Sequence, residues 1–562
     1  MAQFKVLIVG GYGTFGGRLA QLLADEGGLT LIIAGRSLAK AEAFCASLRS
    51  VATVIPAVFD REGEVERQLR EVAPDVVVDV TGPFQSYGAD PYRIVRAALA
   101  LGIHYLDLAD GSDFVKGIAQ FDAPARGRSI FVLAGVSSFP VLTAAVVREL
   151  AQGMARVERV VGGIAPSPYA NVGLNVIRAI ASYAGKPVPI TRDGRRRYAL
   201  TEARRYTIAP PGCLPLRSIR FSLVDVPDLV VLPQLWPSLQ SVWMGAGPVP
   251  EIWHRALNIL AWLVRLRILP SLSPLAPLMY RTINVLSWGE HRGGMFVAVE
   301  GAAPNGERLE RSWHLVAEGV DGPLIPSMAA AAIIRHCLAG RPPAAGARAA
   351  ATDLELSDYA PLFARRRITT GRRQTPLPGD RSPLYRRLLG DAWSSLPAPL
   401  QAMHDLDAEL TAEGVADVER GTSLLARLIG FAMGFPPAGK DIPVAVLFSA
   451  RDGRERWQRT FAGYSFASTQ EQGRGRFERL LCERFGPLVF AMALVCERDR
   501  MRLVLRRWSM FGIPVPLFLA PRSNAFEFAR DGRFHFHVEI SHPFAGPIVG
   551  YRGWLVVRFR SS

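Results

Sequence analysis

Apolar and polar positions alternate in blocks along the first 150 residues. Short runs of branched and aromatic residues at 4–9, 30–34, 53–58, 75–80, 103–106 and 129–133 predict strands. Between them, apolar positions at helical spacing predict helices over 37–49, 61–72, 89–101 and 112–122. Such alternation implies right-handed βαβ crossovers and a parallel, doubly wound sheet, with ligands at the carboxyl ends of its strands. From 151 to 319 the pattern changes. Short strands at 156–163, 218–223, 294–300 and 309–317 flank a very apolar stretch at 254–288, which predicts an α+β second domain walling a substrate site. The helical pattern of PSMAAAAIIRHCLAG (326–340) and LELSDYAPLF then carries the chain to 372, within a stretch, 320–372, that completes the first domain. A Gly-, Pro- and Arg-rich linker follows at 373–383. The last part, 384–562, starts helical (384–436) and becomes β-rich. In RFHFHVEI, Phe534, Phe536, Val538 and Ile540 share one face, opposite Arg533, His535, His537 and Glu539. PLVFAMALVCE and MRLVLRRWSM read as neighbouring strands, so a curved antiparallel sheet or partial barrel is expected.

Composition changes this picture little. A chain of 562 residues is too long for a single core, and 49% apolar content supports packed globular domains. The net charge of +16 invites a nucleic-acid reading, but the charge is scattered arginine, with only five lysines, and no nucleic-acid partner is expected. A basic surface also favours an anionic cofactor or membrane. Five cysteines (45, 213, 337, 482, 496) without C-x-x-C spacing suggest a reducing compartment and no structural metal. The N-terminus runs straight into a strand, so a cytoplasmic protein is expected, with oligomerisation left open. Arg265, Arg267 and Arg281 interrupt the apolar stretch 254–288. It reads either as a membrane-peripheral surface with arginines at the headgroups, as a buried helical pair, or as a lid over an apolar substrate pocket.

The most informative stretch is FKVLIVGGYGTFGG at 4–17. Gly10, Gly11, Gly13 and Gly16 close a strand and open a helix. Glycines are needed there to turn off the strand, to let a pyrophosphate reach the backbone, and to pack the helix against the sheet. Thr14, Phe15 and Gly16 then supply the first-turn amides. This makes the N-terminal domain (1–150, completed by 320–372) a Rossmann dinucleotide-binding domain, and the fold class α/β. The second strand ends in AGRS. A carboxylate there selects NAD; Arg36 and Ser37, with Lys40 one turn on, suit the 2′-phosphate of NADP instead, with NAD left open. Asp60 after the third strand reads as an adenine contact or as the N-cap of the next helix. Gly82 and Pro83 turn the chain where the nicotinamide half lies, with Phe84 and Tyr87 as walls. Asp107, with Tyr105, and Ser137 and Ser138 reach the same edge, where strand-end Asp and Ser also cap helices. Tyr87 and Asp107 are the candidate proton donors.

Together, VGGYGTFGGRLA, AGRS, TGPFQSYG, GIHYLDLADG, AGVSSFP and GPLIPSMAAAAIIRHCLAG resemble the saccharopine dehydrogenase-like oxidoreductases over residues 1–372. The resemblance implies a nicotinamide cofactor, with Gly10, Gly13 and Gly16 at the pyrophosphate and Arg36 near the adenosine phosphate. It departs at Gly135-Val136-Ser137-Ser138-Phe139-Pro140, where many relatives have G-F-D-S-x-P, and Lys116 and Lys186 are the only lysines between 41 and 439. Saccharopine itself is therefore not the expected substrate. The apolar middle domain looks more like relatives that act on or associate with lipids, through hydride transfer or as a non-catalytic cofactor-sensing, lipid-binding protein. SPLYRRLLGDAW, GFPPAGKDIPV, WQRTFAGYSFAS, ERFGPL, IPVPLFLAP and GYRGWL resemble an uncharacterised domain appended to such reductases in bacteria. Its polar-aromatic set is Trp457, Arg459, Arg507, Trp508, Tyr551, Arg552 and Trp554. These read either as an anion-binding surface or as braces for an open sheet edge. His535, His537 and His542 read as exposed histidines or as a metal site.

Overall fold

The N-terminal apolar runs form a seven-stranded parallel sheet whose central strands are buried on both faces by the helices between them, while the edge strand Thr53–Val58 stays largely exposed. The computed structural model describes residues 3–170, 173–200, 202–248, 251–285, 288–375 and 382–558. In chain order the elements at the site are β1 (Phe4–Val9), α1 (Thr14–Leu23), β2 (Leu29–Gly35), α2 (Leu38–Ser47), β3 (Thr53–Val58), α3 (Val65–Val72), β4 (Val76–Asp79), α4 (Arg93–Leu101), β5 (His104–Asp107) and β6 (Phe131–Ala134). The sheet runs in the order Gly346–Ala349, β6, β5, β4, β1, β2, β3. The strand order reverses at β1, between β4 and β2, which creates the crevice such sheets use for ligands. The helix Ile325–Leu338 closes the layer over α1. Ser327 Oγ donates to the Phe15 carbonyl (3.1 Å), and Arg335 binds the Leu22 carbonyl and Glu26.

Contacts divide the chain into two compact units, Met1–Tyr206 with Ile219–Thr369, and Thr207–Ser218 with Thr370–Ser562. In the first unit, a mixed sheet follows the parallel one. Strands at 203–206, 219–223, 241–246, 156–165, 292–302 and 308–318 are neighbours in that order. The strand Ser241–Ala246 has no alternating signature because Val242, Trp243 and Met244 are all buried. The apolar stretch folds as the helices Glu251–Arg265 and Ala276–Val285, packed on Leu174–Tyr183 through Ile177, Ala181, Ala261, Leu272 and Ala276. Ile259, Trp262, Leu266 and Leu278 remain exposed on the outer faces. Residues 286 and 287 of that stretch lie outside the described residues, and no helix among them is long and apolar enough to cross a membrane.

The second unit is the β-rich, curved antiparallel domain expected, and it corrects two finer expectations. The stretch 384–436 is not helical throughout: between Ala398–His404 and Leu424–Ala432 lies the strand Glu409–Arg420. Its helix-favouring Glu and Ala are overridden by pairing on both sides, to Gly439–Arg451 and Gly546–Arg558. Nor is the sheet open. Eleven strands pair antiparallel, and the hairpin of Leu488–Glu497 with Arg500–Met510 closes ten of them into a ring; the short Ile513–Val515 lies outside it. Trp457, Arg459, Trp508 and Tyr551 therefore do not brace an edge but face the barrel interior. Phe534, Phe536, Val538 and Ile540 also face inward. His535 stacks on Phe528 and His537 on Phe526, while His542 lines the interior. The segment Thr207–Ser218 is held in this unit by Arg373, whose Nε and Nη1 reach the Ala209 and Leu388 carbonyls at 2.7 Å, and by Cys496, whose amide donates to the Gly212 carbonyl. The strand Ile368–Gln374 runs into the expected linker, and 376–381 lie outside the described residues.

Candidate cofactor site

The glycine turn leaves β1 and starts α1 in four residues. Gly10 has a φ of +85°, which admits little but glycine, and its amide and that of Gly11 donate to the Ala34 carbonyl at 2.8 and 2.9 Å. There is no room for a side chain at Gly11 or Gly16. A Cβ at Gly16 would stand 2.4 Å from the Gly10 carbonyl oxygen, and one at Gly11 2.8 Å from that of Ile8. Gly13 is the N-cap of α1 and brings no side-chain cap, so the first-turn amides at Thr14, Phe15 and Gly16 have no side-chain acceptor. An uncapped helix start behind a backbone-only cradle fits a diphosphate, because amides and helix dipole both favour negative charge there.

At the end of β2, Gly35 packs against Tyr12, and the Ser37 amide donates to the Tyr12 hydroxyl at 3.1 Å. Ser37 caps α2 through Lys40 N, while the Arg36 side chain is exposed. Tyr12 was not among the candidates. Its position inside the glycine turn, opposite the second strand's end, was the available signal. Asp60 does not cap α3, whose N-cap is Glu64. Its carboxylate instead accepts from the Glu62 amide (3.1 Å) in a turn that delays the helix to Val65.

At the end of β4, sequence reasoning missed Asp79. Its Oδ1 accepts from the Thr81 amide (3.0 Å) and the Thr81 hydroxyl (2.6 Å), and the Tyr87 hydroxyl stands 3.1 Å away. Thr81 and Val80 pack where a Cβ of Gly10 would go, so this trio sits directly beside the glycine turn. Burial raises the Asp79 carboxyl above its ordinary range, partly offset by the Thr81 bonds. Burial, then the Asp79 charge, raises the Tyr87 phenol, so it keeps its proton. The Arg61 guanidinium lies 3.4 Å from the Tyr87 ring centroid and balances part of the local charge. Phe84 and Phe114 pack on Tyr87, and the Gly82 carbonyl accepts from Asn175 Nδ2 at 2.8 Å. Pro83 follows Gly82 and precedes the turn Phe84–Ser86.

Asp107 is different. It is fully buried, and its Oδ1 accepts from the Ala109 and Gly135 amides at 2.9 and 2.8 Å, clasping the ends of β5 and β6 together. Burial pushes its carboxyl up to about 7. Tyr105 is likewise buried, as is Ser138, so none of these three reaches an open surface. The site thus gathers Gly10, Gly11, Gly13, Thr14, Phe15, Gly16, Tyr87 and Gly82 at one sheet edge, with Arg36 and Ser37 at the end of the neighbouring strand.

Residues 6–125 match the family model of the saccharopine dehydrogenase NADP binding domain, and residues 396–555 match a domain of unknown function, DUF4166. Among solved structures, the chain is similar to apo saccharopine dehydrogenase (L-Glu forming) from Saccharomyces cerevisiae, at 13% identity and a TM-score of 0.46, covering 66% of this chain and 100% of that one. It is also similar to biliverdin reductase from Synechocystis sp. PCC 6803, solved with biliverdin and NADP+ (14% identity, 60% and 92% covered, TM-score 0.28). A third is a probable dehydrogenase from Thermotoga maritima (10% identity, 61% and 91% covered, TM-score 0.33). No curated protein matches the chain. By these family models, residues 6–125 form a saccharopine dehydrogenase NADP binding domain and residues 396–555 a DUF4166 domain.

Proposed function

We propose that the first unit is an NADP-dependent oxidoreductase passing hydride between the nicotinamide C4 and an apolar, lipid-like small molecule. The observation that carries this reading is the glycine turn: Gly11 and Gly16 leave no space for a side chain, and the amides behind them have no side-chain cap. NADP rather than NAD is supported by the end of β2, which offers exposed Arg36 with Ser37 and Lys40 and no carboxylate. A guanidinium forks onto a phosphate through paired hydrogen bonds. The coenzyme supplies the hydride; the chain binds and orients it and keeps water out. Tyr87 is half-buried and sits within the trio beside the turn, whereas Asp107 is enclosed. Of the two candidates, Tyr87 is therefore the one we place against the reacting group, although its raised phenol resists giving up the proton, and Asp107 is a positioning group for the sheet edge. An apolar substrate is supported by the outer faces of Glu251–Arg265 and Ala276–Val285, whose exposed Ile259, Trp262 and Leu278 also suit contact with a membrane interface.

Fluorescence titration with NADPH and NADH tests the reading. NADPH binds more tightly than NADH in the parent protein, and Arg36→Asp reverses the preference. Binding of neither nucleotide overturns the proposal. A second reading, a cofactor-sensing lipid-binding protein without turnover, draws on the enclosure of Asp107 and on the Tyr87 hydroxyl's engagement with Asp79. Substrate-dependent loss of reduced-nicotinamide absorbance supports the enzyme; nucleotide binding and liposome flotation without turnover support the sensor.

A further inference from the structure

The barrel of the second unit encloses a cavity of about 430 Å³. That lies within the roughly 300–1,000 Å³ of small-molecule pockets. Its wall is the inward half of the strand alternation, with Val446, Phe448, Trp457, Met492, Leu505 and Phe536 among the lining residues. The charges on this wall are already answered from within. Arg459 donates to Ser468 Oγ (2.9 Å) and Glu483 Oε1 (3.2 Å), and Gln470 Nε2 donates to the same carboxylate (3.2 Å). Glu527 meets His404 Nε2 at 2.7 Å. A wall whose polar groups are already hydrogen-bonded to one another offers no free partner to a charged guest, and a bare charge buried there is heavily penalised. The guest that fits is neutral and apolar.

A second, independent observation concerns the ends of the barrel. Because the strands form a meander, their connections fall alternately at two ends. At one end lie the connections 452–453, 473–480, 498–499 and 531–532, whose exposed side chains, among them Asp452, Arg474, Arg476, Arg498, Asp499 and Asp531, are polar. At the other lie 421–438, 462–463, 486–487, 511–521 and 543–545. This second end carries Leu424, Leu428, Phe431, Phe511, Phe518 and Phe544, with Phe431 86% and Phe511 77% exposed. The cavity reaches the same end, where Ile429, Met433, Met510, Pro521 and His542 line it. Exposed Arg427, Lys440, Arg484 and Arg522 stand among the apolar tips, against the exposed carboxylates Asp441 and Glu419, the second of which lies 3.6 Å from Arg552. Apolar tips ringed by cations match an anionic bilayer, whose acyl region takes the rings while its headgroups meet the arginines.

We propose that the barrel is a carrier site for one neutral apolar lipid, loaded from a bilayer on which this rim docks. The site lies in the second unit and does not rest on the oxidoreductase reading. The test uses the full-length protein, N-phenylnaphthylamine as a neutral apolar probe, and vesicles of phosphatidylcholine with phosphatidylglycerol. The parent takes up the probe at a single saturable site and floats with the vesicles. Ala525→Phe, which fills the cavity from its wall, weakens probe binding about tenfold or more because a packed wall cannot yield that volume. The exposed triple variant Phe431→Ser, Phe518→Ser, Phe544→Ser keeps probe affinity and loses flotation. It leaves the core untouched, so it remains informative even where Ala525→Phe does not fold, and Val446→Phe then repeats the filling experiment. Probe binding that neither filling variant weakens, a rim variant that floats like the parent, or a parent that does not float at all would each overturn the proposal; the last would point to a protein partner for the rim. NADPH titration of the same samples reads the first unit, so the two readings fail separately.

Discussion

The glycine turn beside β1 and the interior of the barrel are both hollows, but the first is made by leaving side chains out and the second by pointing them in. Gly10, Gly11 and Gly16 present only backbone, and a single added carbon at Gly16 would collide with the Gly10 carbonyl. The barrel is walled by large side chains from alternate positions of its strands. A hollow of backbone amides is polar, directional and intolerant of substitution. A hollow of apolar side chains is non-directional and tolerates volume-conserving change. One chain thus holds both a site suited to a charged diphosphate and one suited to a neutral guest.

The largest expected effect breaks the first hollow. Gly16→Val removes NADPH binding, measured by titration, and lowers the melting temperature of the first unit, because backbone rather than a flexible side chain blocks the new atoms. Overpacking of this kind costs about 1–3 kcal/mol or more. The matching change in the second unit is Leu481→Ala. Leu481 is fully buried, and its truncation lowers that unit's stability by roughly 2–5 kcal/mol in denaturant unfolding while NADPH affinity stays at the parent value. A change in both readouts would mean that the two hollows do not stand on separate cores.

Asp107 sharpens the comparison through pH. Its carboxyl titrates near 7 in the fold against an ordinary value of about 3.9. The fold thus prefers the protonated form. Its contribution is fully present below about pH 4, falls as pH rises toward 7 and is flat above, a loss of a few kcal/mol over that window. Asp228, also buried and raised to about 7, adds in the same direction. Asp107→Asn keeps the Oδ1 acceptor and flattens this part of the stability–pH curve; a curve identical to the parent's would show that the carboxyl does not titrate there. The smallest effect is on nucleotide choice. Arg36→Asp shifts the NADPH-to-NADH preference by about 1.5–3 kcal/mol, the worth of a hydrogen bond to a charged group, without altering the melting temperature.

The parallel sheet was legible because its strands are continuous apolar runs and its ligand turn needs glycine, a residue type that leaves a mark in sequence. Strands β1 and β3 fall where periodicity puts them, at Phe4–Val9 and Thr53–Val58. Closure of the barrel was not legible. Alternation in RFHFHVEI assigns faces but says nothing about which strand the last one meets, and the closing pair is fixed by long-range register between Leu488–Glu497 and Arg500–Met510. The strand Glu409–Arg420 was hidden by residues that favour helices in isolation. At the site, Asp79 was overlooked although the strand VVVD points to it, because hydrogen bonds to Thr81 and Tyr87 across a turn leave no periodic trace. Asp107 was read as facing the sheet edge, but two backbone amides that no sequence pattern announces enclose it.

The excursion of Thr207–Ser218 has a practical consequence. The polypeptide passes between the two units three times, at 206/207, 218/219 and 369/370, so the C-terminal half is not a bead on a string. Severing the backbone between Thr369 and Leu384 leaves the twelve-residue strap Thr207–Ser218 still part of the barrel unit, where the Cys496 amide and Arg506 hold its Gly212 and Pro215 carbonyls. The fragments of such a cleavage should therefore comigrate until denatured, and a gene fragment that starts after the cut would express a barrel lacking one of its own pieces.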